Sequence, residues 1–404
     1  MELTAIYRCV AALDVHQAKL TVCVMSENEQ GEIVTEIREF GAFKRDRREM
    51  AAWVASFHPE LVVMESTGIY WKSPYAALEW HGLNLAVVNA RHVKQVPGRK
   101  TDINDAQWLA ILARSGLLRG GFVPPRQFRE YRLIARQLQK LTDIAAGEKN
   151  RLHKALTDAG IRLSVVVSDV YGKSAKTMIM GLLNGKTPEQ LLGYADPRLK
   201  ATPDELREAL EGDLSDSHRF VIGELMAHID ELEARVARFR QTLLSDLSPY
   251  QAILNNLQTL PGIDELSAAM LLVEIGDDMS AFGSPAKLVS WAGVCPGQNE
   301  SAGKRKSARA RKGNPYLRRI LCEAANAASR TRCSLQEKFK SLMIRRGRKR
   351  AIVAIAHKLL KTVFLLIQRG DYYRDAATDY EALTVQRNAP RWIKKLIQYG
   401  YITP

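Results

Sequence analysis

Apolar and polar positions follow two different periods in the first 120 residues. Short apolar or alternating runs predict strands at 8–16, 19–26, 32–40, 61–66 and 83–89. Helical spacing predicts helices at 43–57 and at about 70–80, and a third from Thr101, as its N-cap, to about Leu117. Three hairpin strands followed by strand–helix alternation predict a mixed sheet in an α/β domain.

The centre of the chain has helical periodicity, at about 127–157 and 203–247. In the second segment the apolar residues are separated alternately by three and four positions: Ile222, Leu225, Ile229, Leu232, Val236, Phe239 and Leu243. This spacing is typical of a coiled-coil seam. The partner is either the 127–157 helix of the same chain or the same helix of a second chain, and the sequence leaves both open.

The last third of the chain is also predicted to be helical. The turn Leu260-Pro261-Gly262-Ile263 precedes an apolar helix at 267–275 and resembles a helix-hairpin-helix, whose turn amides contact a DNA phosphate. Further helices are predicted at 284–293, 314–330 and 349–368. The expected fold is therefore α/β plus all-α, with regions 1–125, 126–250 and 251–370 and a polar, aromatic tail at 371–404.

Positive charge is concentrated in one window of the chain. Residues 301–350 contain 17 Lys and Arg but two acids, an excess equal to the net charge of +15 of the whole chain. Such a window indicates a polyanion partner, and nucleic acid is favoured over a solvated surface because solvated surfaces mix both signs. Backbone contacts are predicted for Lys304, Arg305, Lys306, Arg309, Arg311, Lys312, Arg318 and Arg319.

Four carboxylates occupy positions suited to a metal-dependent nuclease. Asp14 interrupts an apolar run, Glu65 ends another, and Asp102 and Asp105 open the third helix three residues apart. Taken singly, each also fits a solvated strand end or a first-turn acid favoured by the helix dipole. Taken together they predict a site for hard divalent cations, which several converging carboxylates require.

Composition narrows the setting of the protein. The five cysteines form no Cys-x-x-Cys pair. They indicate free thiols in a reducing cytoplasm and argue against a zinc site. The sequence predicts neither a signal peptide nor a membrane span. The expected location is the bacterial cytoplasm, in association with the nucleoid.

Several motifs, in order, carry a resemblance to a known family. They are Leu13-Asp14-Val15-His16, Met64-Glu65-Ser66-Thr67-Gly68-Ile69-Tyr70-Trp71, Val88-Asn89-Ala90-Arg91 and Lys100-Thr101-Asp102-Ile103-Asn104-Asp105-Ala106. The C-terminal half adds Leu260-Pro261-Gly262-Ile263, Trp291-Ala292-Gly293-Val294-Cys295-Pro296, Glu300-Ser301-Ala302-Gly303-Lys304 and Lys312-Gly313-Asn314-Pro315-Tyr316-Leu317-Arg318-Arg319. The chain resembles the DEDD-type insertion-sequence transposases of the "insertion sequence one-ten" group.

The resemblance implies a fold and a mechanism. The N-terminal domain would be RNase H-like (RuvC-like), and Asp14, Glu65, Asp102 and Asp105 would hold Mg²⁺ or Mn²⁺. A C-terminal serine would attack DNA, a role that falls on Ser301, with Ser307 as a competitor because Ala302 separates Ser301 from Gly303. The implied partners are double-stranded DNA at the element ends and target, and a bridge RNA. A homodimer or homotetramer is expected.

Two other functions are compatible with the same residues. A junction-resolving nuclease would use the carboxylates to activate water and would need no serine. An architectural nucleic-acid-binding protein with vestigial carboxylates would bind equally well without divalent cations. The complete acid set favours the enzyme.

Overall fold

A computed structural model describes residues 5–66, 68–90, 93, 104–297, 299–301, 304–307, 310, 312–375 and 380–403. The chain divides into two compact units, Met1–Arg126 and Gln127–Pro404. The first unit contains a mixed sheet with helices, and the second is helical apart from one short hairpin.

The first unit is built on a six-stranded sheet. Its strands are β1 (Cys9–Val15), β2 (Lys19–Glu27), β3 (Ile33–Gly41), β4 (Leu61–Glu65), β5 (Leu85–Val88) and β6 (Gly120–Gly121). They lie in the order β3-β2-β1-β4-β5-β6, with β1, β4 and β5 parallel and the other pairs antiparallel. The predicted mixed sheet is confirmed. Strand β6 was not predicted, because two glycines carry no strand pattern.

Helices cover both faces of this sheet. They are α1 (Lys44–Ser56), α2 (Lys72–Glu79) and α3 (Asp105–Arg114). Helices α1 and α2 pack on the face that carries Leu13 and Met64, whereas α3 packs on the face that carries Ala12 and Val63. Burial on both faces explains why β1 and β4 are continuously apolar until an acid interrupts them.

The start of α3 differs from the prediction. Its N-cap is Asn104, whose side-chain oxygen accepts a hydrogen bond of 2.7 Å from the Gln107 amide, and the helix begins at Asp105. The predicted cap, Thr101, lies outside the described residues. An Asn immediately before the apolar repeat satisfies the same orphan amides that Thr101 was expected to cap. The described helix therefore contains Asp105 but not Asp102.

The second unit contains thirteen described helices of α type. They are α4 (Arg126–Asp158), α5 (Leu163–Val166), α6 (Lys173–Leu183), α7 (Pro188–Leu191), α8 (Pro203–Leu210), α9 (Asp216–Asp246), α10 (Gln251–Gln258), α11 (Glu265–Ile275), α12 (Pro285–Ala292), α13 (Pro315–Ala328), α14 (Ser334–Arg346), α15 (Arg348–Arg369) and α16 (Tyr380–Gln398). Strands β7 (Asn299–Ser301) and β8 (Lys304–Ser307) form the hairpin between α12 and α13.

The predicted 203–247 helix is two helices. The chain leaves α8 at Leu210, and Asp213 donates a backbone hydrogen bond to the Ala159 carbonyl. A new capping box at Ser215 then starts α9. Gly212 permits this crossing, because a Cβ there would lie 2.4 Å from the Ala159 carbonyl oxygen. The apolar repeat from Ile222 to Leu243 lies wholly within α9 and therefore gives no sign of the break before Ser215.

The partner of the apolar seam on α9 lies in the same chain. Leu232 is buried against Leu141 and Ala145 of α4, and Val236 and Phe239 pack on the same cluster. Lys149 of α4 forms an ion pair of 2.6 Å with Glu233. This seam is therefore satisfied without a second copy, and it no longer supports the predicted dimer or tetramer.

By length and composition, one helix among the described residues is apolar enough to cross a membrane. This helix is α15, and 56% of its most apolar window is buried inside the protein. It packs against α12, α13 and α14. Such contacts are typical of a core helix.

Candidate functional site

The sheet brings Asp14 and Glu65 to the same face on neighbouring strands. Side chains alternate along a strand, so Asp14 shares the face of Ala12, and Glu65 shares the face of Val63. Strands β1 and β4 are parallel and pair Leu13 with Met64. Asp14 and Glu65 follow that pair directly, at the carboxyl ends of both strands.

Asp105 approaches this face from α3. It is the first residue of the helix, and together with Asp14 it lines an open cleft of ≈ 400 Å³. The Asp14 side chain is 25% exposed in this cleft. Two of the four predicted acids, Asp14 and Asp105, therefore line the same cleft, and Glu65 lies on the strand next to that of Asp14. The fourth, Asp102, lies outside the described residues.

His16 contacts the first of these acids. Its Nε2 lies 3.1 Å from Oδ2 of Asp14, and the ring lines the same cleft. The contact agrees with the alternation of the strand, which predicts that residues 14 and 16 face the same side. A hydrogen bond from the ring would hold Oδ2 of Asp14 and so orient the carboxylate, as a second residue often does for a metal-binding group.

The donor set of the cleft fits a hard divalent cation. Mg²⁺ is usually bound through one or two carboxylates, and waters and substrate phosphates complete its coordination. Asp14 and Asp105 supply two such carboxylates. Within the part of the chain that the structure describes, no group of three or more His, Cys, Asp and Glu side chains is close enough to hold a metal ion.

A second pair of charges in the cleft was missed by the sequence reasoning. Asp14 pairs across the strands with Thr21, and Thr21 pairs with Glu39, so the three lie in one row. Lys19 donates a hydrogen bond of 2.7 Å to Glu39. That hydrogen bond lowers the pKa of the Glu39 carboxyl below its ordinary value. The sequence could have revealed this pair only if the register of β1, β2 and β3 were known, and residue types alone do not set that register.

Replacement of Glu39 by Gln tests this pair. Lys19 would then keep an unneutralised positive charge in the lining and oppose a cation at Asp14. The divalent cation concentration for half-maximal DNA cleavage is expected to rise about two- to five-fold at low ionic strength and to return to the wild-type value in high salt. The matched control is Glu36→Gln, on the opposite face of β3. An unchanged titration in low salt would show that the pair does not act on the cleft.

The predicted nucleophile lies in the hairpin of the second unit. Ser301 ends β7 and pairs with Lys304 at the start of β8, whereas Ser307 pairs with Asn299 at the opposite end. The structure describes the backbone of these strands, and the side chains of residues 299–301 and 304–307 lie outside what it describes. In the register of the hairpin, the two candidate serines are therefore at different ends.

The segment after this hairpin is held tightly. A Cβ at Gly313 would lie 2.3 Å from the carbonyl oxygen of Ala292, so Gly313 permits close approach to the end of α12. Asn314 caps α13 by accepting hydrogen bonds from the amides of Tyr316 and Leu317. Its amide also donates a hydrogen bond of 2.6 Å to Glu274.

Glu274 is the centre of a buried ionic network in the second unit. Its side chain is 2% exposed. Arg136 of α4 donates to both carboxylate oxygens, at 2.8 and 2.9 Å, and stacks over Tyr316 at 4.4 Å. Arg132 donates to the backbone carbonyl of Val273 and lies 3.4 Å from the carboxylate. The network ties α4 and α11 to the cap of α13, and hence to the segment that follows the serine hairpin.

The predicted nucleic-acid contacts divide into three groups. Lys312 is exposed, and Arg318 is partly exposed on α13. Arg319 is already engaged, at 2.5 Å by Asp143 and at 2.9 Å by Glu323, so a phosphate would have to displace an acid. The remaining five lie outside the described residues or have side chains outside them: Lys304, Arg305, Lys306, Arg309 and Arg311.

Gly262 has a packing role in the structure. It joins α10 to α11 with a φ of +84°, and a Cβ there would lie 2.3 Å from the Ala324 carbonyl oxygen of α13. The turn therefore needs glycine for its conformation and for its contact with α13. Its predicted contact with a DNA phosphate stays a prediction.

Replacement of Gly262 by Ala is expected to destabilise the protein without DNA present. The clash with backbone atoms and the left-handed φ together should lower the free energy of unfolding by about 2–4 kcal/mol. The control is Gly147→Ala, in an open position of α4, where the loss of a helix glycine should raise stability by about 0.5–1 kcal/mol. Chemical denaturation of both variants measures the difference, and a Gly262→Ala variant as stable as wild type would refute the packing role.

Three aromatic residues in the family motifs are also candidates for stacking on bases, and each has contacts within the protein. Trp71 packs against the sheet core and lies edge-on to Tyr75, with ring centroids 5.6 Å apart. Tyr316 lies under Arg136. Tyr70 is 40% exposed and donates a hydrogen bond of 3.3 Å to Gln17 beside the cleft.

Two family models match this chain. One, a DEDD-type model for IS110 described as "Transposase", matches residues 11–161 and so includes Asp14, Glu65 and Asp105. The other, described as "Transposase IS116/IS110/IS902 family", matches residues 254–341, which contain Glu274, the serine hairpin and Asn314. Together they cover more than half of the chain.

Individual relatives agree with these models. The chain is 26% identical over 344 residues to the transposase for insertion sequence element IS1111A of Coxiella burnetii, which covers 82% of this chain and 84% of the relative. It is 24% identical over 355 residues to an uncharacterized 43.6 kDa protein of insertion element IS110 from Streptomyces coelicolor, covering 79% of this chain and 84% of the relative. The protein belongs to the IS110 family of insertion-sequence transposases.

Proposed function

We propose that this transposase cuts and rejoins DNA with a serine nucleophile and a set of cation-binding carboxylates. The observation that carries the proposal is the cleft of the first unit, where Asp14 and Asp105 share one lining and Glu65 ends the adjoining strand. The element order β1-β2-β3-α1-β4-α2-β5-α3 supports an RNase H-like arrangement for this unit.

The carboxylates Asp14, Glu65, Asp102 and Asp105 would hold Mg²⁺ or Mn²⁺. When bound, such cations supply charge stabilisation to the attacking and leaving oxygens of a phosphoryl transfer. Asp14, which His16 orients, would bind the cation in the cleft. Glu39 would not, because Lys19 already donates a hydrogen bond to it. The carboxylates would repel a DNA phosphate, and a bound cation would remove that repulsion.

Ser301 would supply the nucleophile. Its oxygen forms a bond to phosphorus, the phosphodiester P–O bond to the neighbouring nucleotide breaks, and the leaving oxygen takes up a proton while the serine proton is lost. Rejoining is the reverse reaction with a different DNA hydroxyl. Because one phosphodiester is exchanged for a phosphoserine ester and back, no external energy source is required. Lys304, which pairs with Ser301 in the backbone register of the hairpin, would supply a positive charge that favours the charged phosphate.

The basic window 301–350 would bind the DNA backbone at the element ends and target, and this binding should weaken steeply with salt.

Target choice would be delegated to a bridge RNA, an expectation that rests on the family resemblance. RNA co-purified with the protein tests it, because sequencing should then recover one discrete transcript.

An excision assay in cells tests the proposed function. A plasmid carries the element, and the rejoined donor and the circular or inserted product are detected by amplification and sequencing. Wild type should give rejoined DNA, whereas Ser301→Ala should give none. Broken donor ends without any rejoined product would instead support a nuclease that uses water.

A further inference from the structure

The C-terminal helix α16 carries an exposed aromatic surface that the proposed reaction does not use. Trp392 is 46% exposed and Tyr399 is 70% exposed, and Tyr401 just after the helix is 78% exposed. Trp392 and Lys395 lie on α16, and Tyr399 follows its last residue, where its amide donates a hydrogen bond to the Lys395 carbonyl and continues the helical turn. The three residues are three and four positions apart, so they are neighbours on one side. Flat aromatic side chains are thus presented beside a cation.

This surface lies in a strongly basic environment. Residues 380–403 contain four cations, Arg387, Arg391, Lys394 and Lys395, and one acid. Helix α16 packs against α14, which ends in Arg345 and Arg346. The next helix, α15, begins with Arg348, Lys349 and Arg350, and all five of these arginines and lysines are exposed.

We propose that the aromatic face of α16, with the cations around it, binds single-stranded nucleic acid. The cations complement a phosphate backbone, and exposed Trp and Tyr rings offer stacking platforms for unpaired bases. A duplex satisfies only the first of these features, since its bases are already stacked inside the helix. The combination therefore selects single strands, which arise when DNA is opened or when an RNA is present.

Other occupants fit the charge less well. A second copy of this chain would bring an equally basic helix, and like charges across an interface oppose association. An anionic lipid surface would match the charge, but it would leave the faces of the exposed Trp392 and Tyr399 rings without a planar group to stack on.

Fluorescence anisotropy with the full-length protein tests the stacking part of the proposal. The probes are a labelled 20-nucleotide oligo-dT, the matching oligo-U and a 20-base-pair duplex. The double variant Trp392→Leu/Tyr399→Leu should bind both single strands at least about ten-fold more weakly and bind the duplex as wild type does. Leucine keeps the apolar bulk, and Trp80→Leu, at a tryptophan that is 82% exposed in the first unit, is the matched control. A preference for oligo-U or for oligo-dT identifies RNA or DNA as the source.

The salt dependence of the same binding tests the cations. Lys394→Gln/Lys395→Gln should reduce the slope of log affinity against log salt for single strands by about 1.4, or about 0.7 for each lost contact. The control is Lys173→Gln/Lys200→Gln, which removes two exposed lysines, one at the start of α6 and one in the loop before α8. Equal losses in both double variants would show a general charge effect and overturn the proposal.

Further outcomes would also overturn it. Equal weakening for duplex and single strands in the aromatic variant would exclude stacking. Unchanged affinity for all three probes, with a lower oligomeric mass by light scattering, would assign the surface to a second copy. Loss of binding only to vesicles of anionic phospholipid would assign it to a membrane. None of these outcomes bears on the excision assay, so this proposal and the proposed function fail independently.

Discussion

Replacement of Asp14 by Asn is expected to abolish strand cleavage while DNA binding is retained. The change removes the charge of the carboxylate that His16 orients in the cleft, but keeps its size and one hydrogen-bonding oxygen. Loss of a cation-binding acid removes several kcal/mol of transition-state stabilisation, and about 1.4 kcal/mol is a factor of ten. A loss of about 10³-fold or more in cleavage rate follows.

The measurement is a single-turnover cleavage assay on labelled element-end DNA, with binding followed separately by anisotropy. Asp204→Asn, at an acid whose side chain is 86% exposed on α8, is the control and should cleave normally. If Asp14→Asn cleaves within ten-fold of wild type, the cleft of the first unit is not the catalytic site. If it loses DNA binding instead, the acid acts in recognition or folding.

Among the substitutions of charged residues proposed here, Glu274→Gln is expected to lower the free energy of unfolding the most. The substitution removes the charge of a carboxylate that faces both Arg132 and Arg136, and Arg132 is nearly as buried as the acid. Burial lowers the pKa of Arg132 to about 10, so the guanidinium stays charged at neutral pH. Breaking a buried pair and leaving a charge behind costs about 3–5 kcal/mol. Urea denaturation followed by far-ultraviolet circular dichroism measures the loss.

The exposed pair Glu231–Arg235 on α9 provides the control. Glu231→Gln removes the same group from an i,i+4 pair on the surface and should cost less than about 0.5 kcal/mol. Equal stability losses in the two variants would contradict the network. Glu274→Gln should also reduce adduct formation by Ser301 at a temperature where the variant is still folded, because Glu274 accepts a hydrogen bond from Asn314, seven residues after the hairpin.

The same network fixes the sign of a pH effect. Burial alone would raise the pKa of Glu274, but the hydrogen bond from Arg136 and the charge of Arg132 outweigh it and lower the pKa. The stabilisation is therefore present above the ordinary Glu pKa and is lost as pH falls through the lowered value. In Glu274→Gln this part of the acid-induced loss should disappear.

The strands and most helices were predictable because their apolar patterns are local. The short apolar or alternating runs of β1 to β5 gave their positions to within about two residues. Asp14 stood out for the same reason, since an acid interrupts an otherwise buried run. Local patterns failed where a tertiary contact sets the chain path, as at Gly212 between α8 and α9.

Features that depend on register or packing were not predictable. The Lys19–Glu39 pair requires the pairing of β2 with β3, and the network around Glu274 joins residues 138 positions apart. The sequence could not identify the partner of the α9 seam, because an apolar helix face can pack against any other apolar face. In the structure the seam packs against α4 of the same chain. Helices α14 and α16 were not predicted, since their patterns are mixed with exposed cations and aromatic residues.

Capture of a covalent protein–DNA adduct tests the central claim most directly. Wild type, Ser301→Ala, Ser307→Ala and Asp14→Asn are incubated with element-end and target DNA, Mg²⁺ and co-purified RNA, and resolved on a denaturing gel. The account predicts an adduct in wild type and Ser307→Ala, and none in Ser301→Ala or Asp14→Asn. Cleaved DNA without an adduct in wild type, or an adduct that persists in Ser301→Ala, would contradict it.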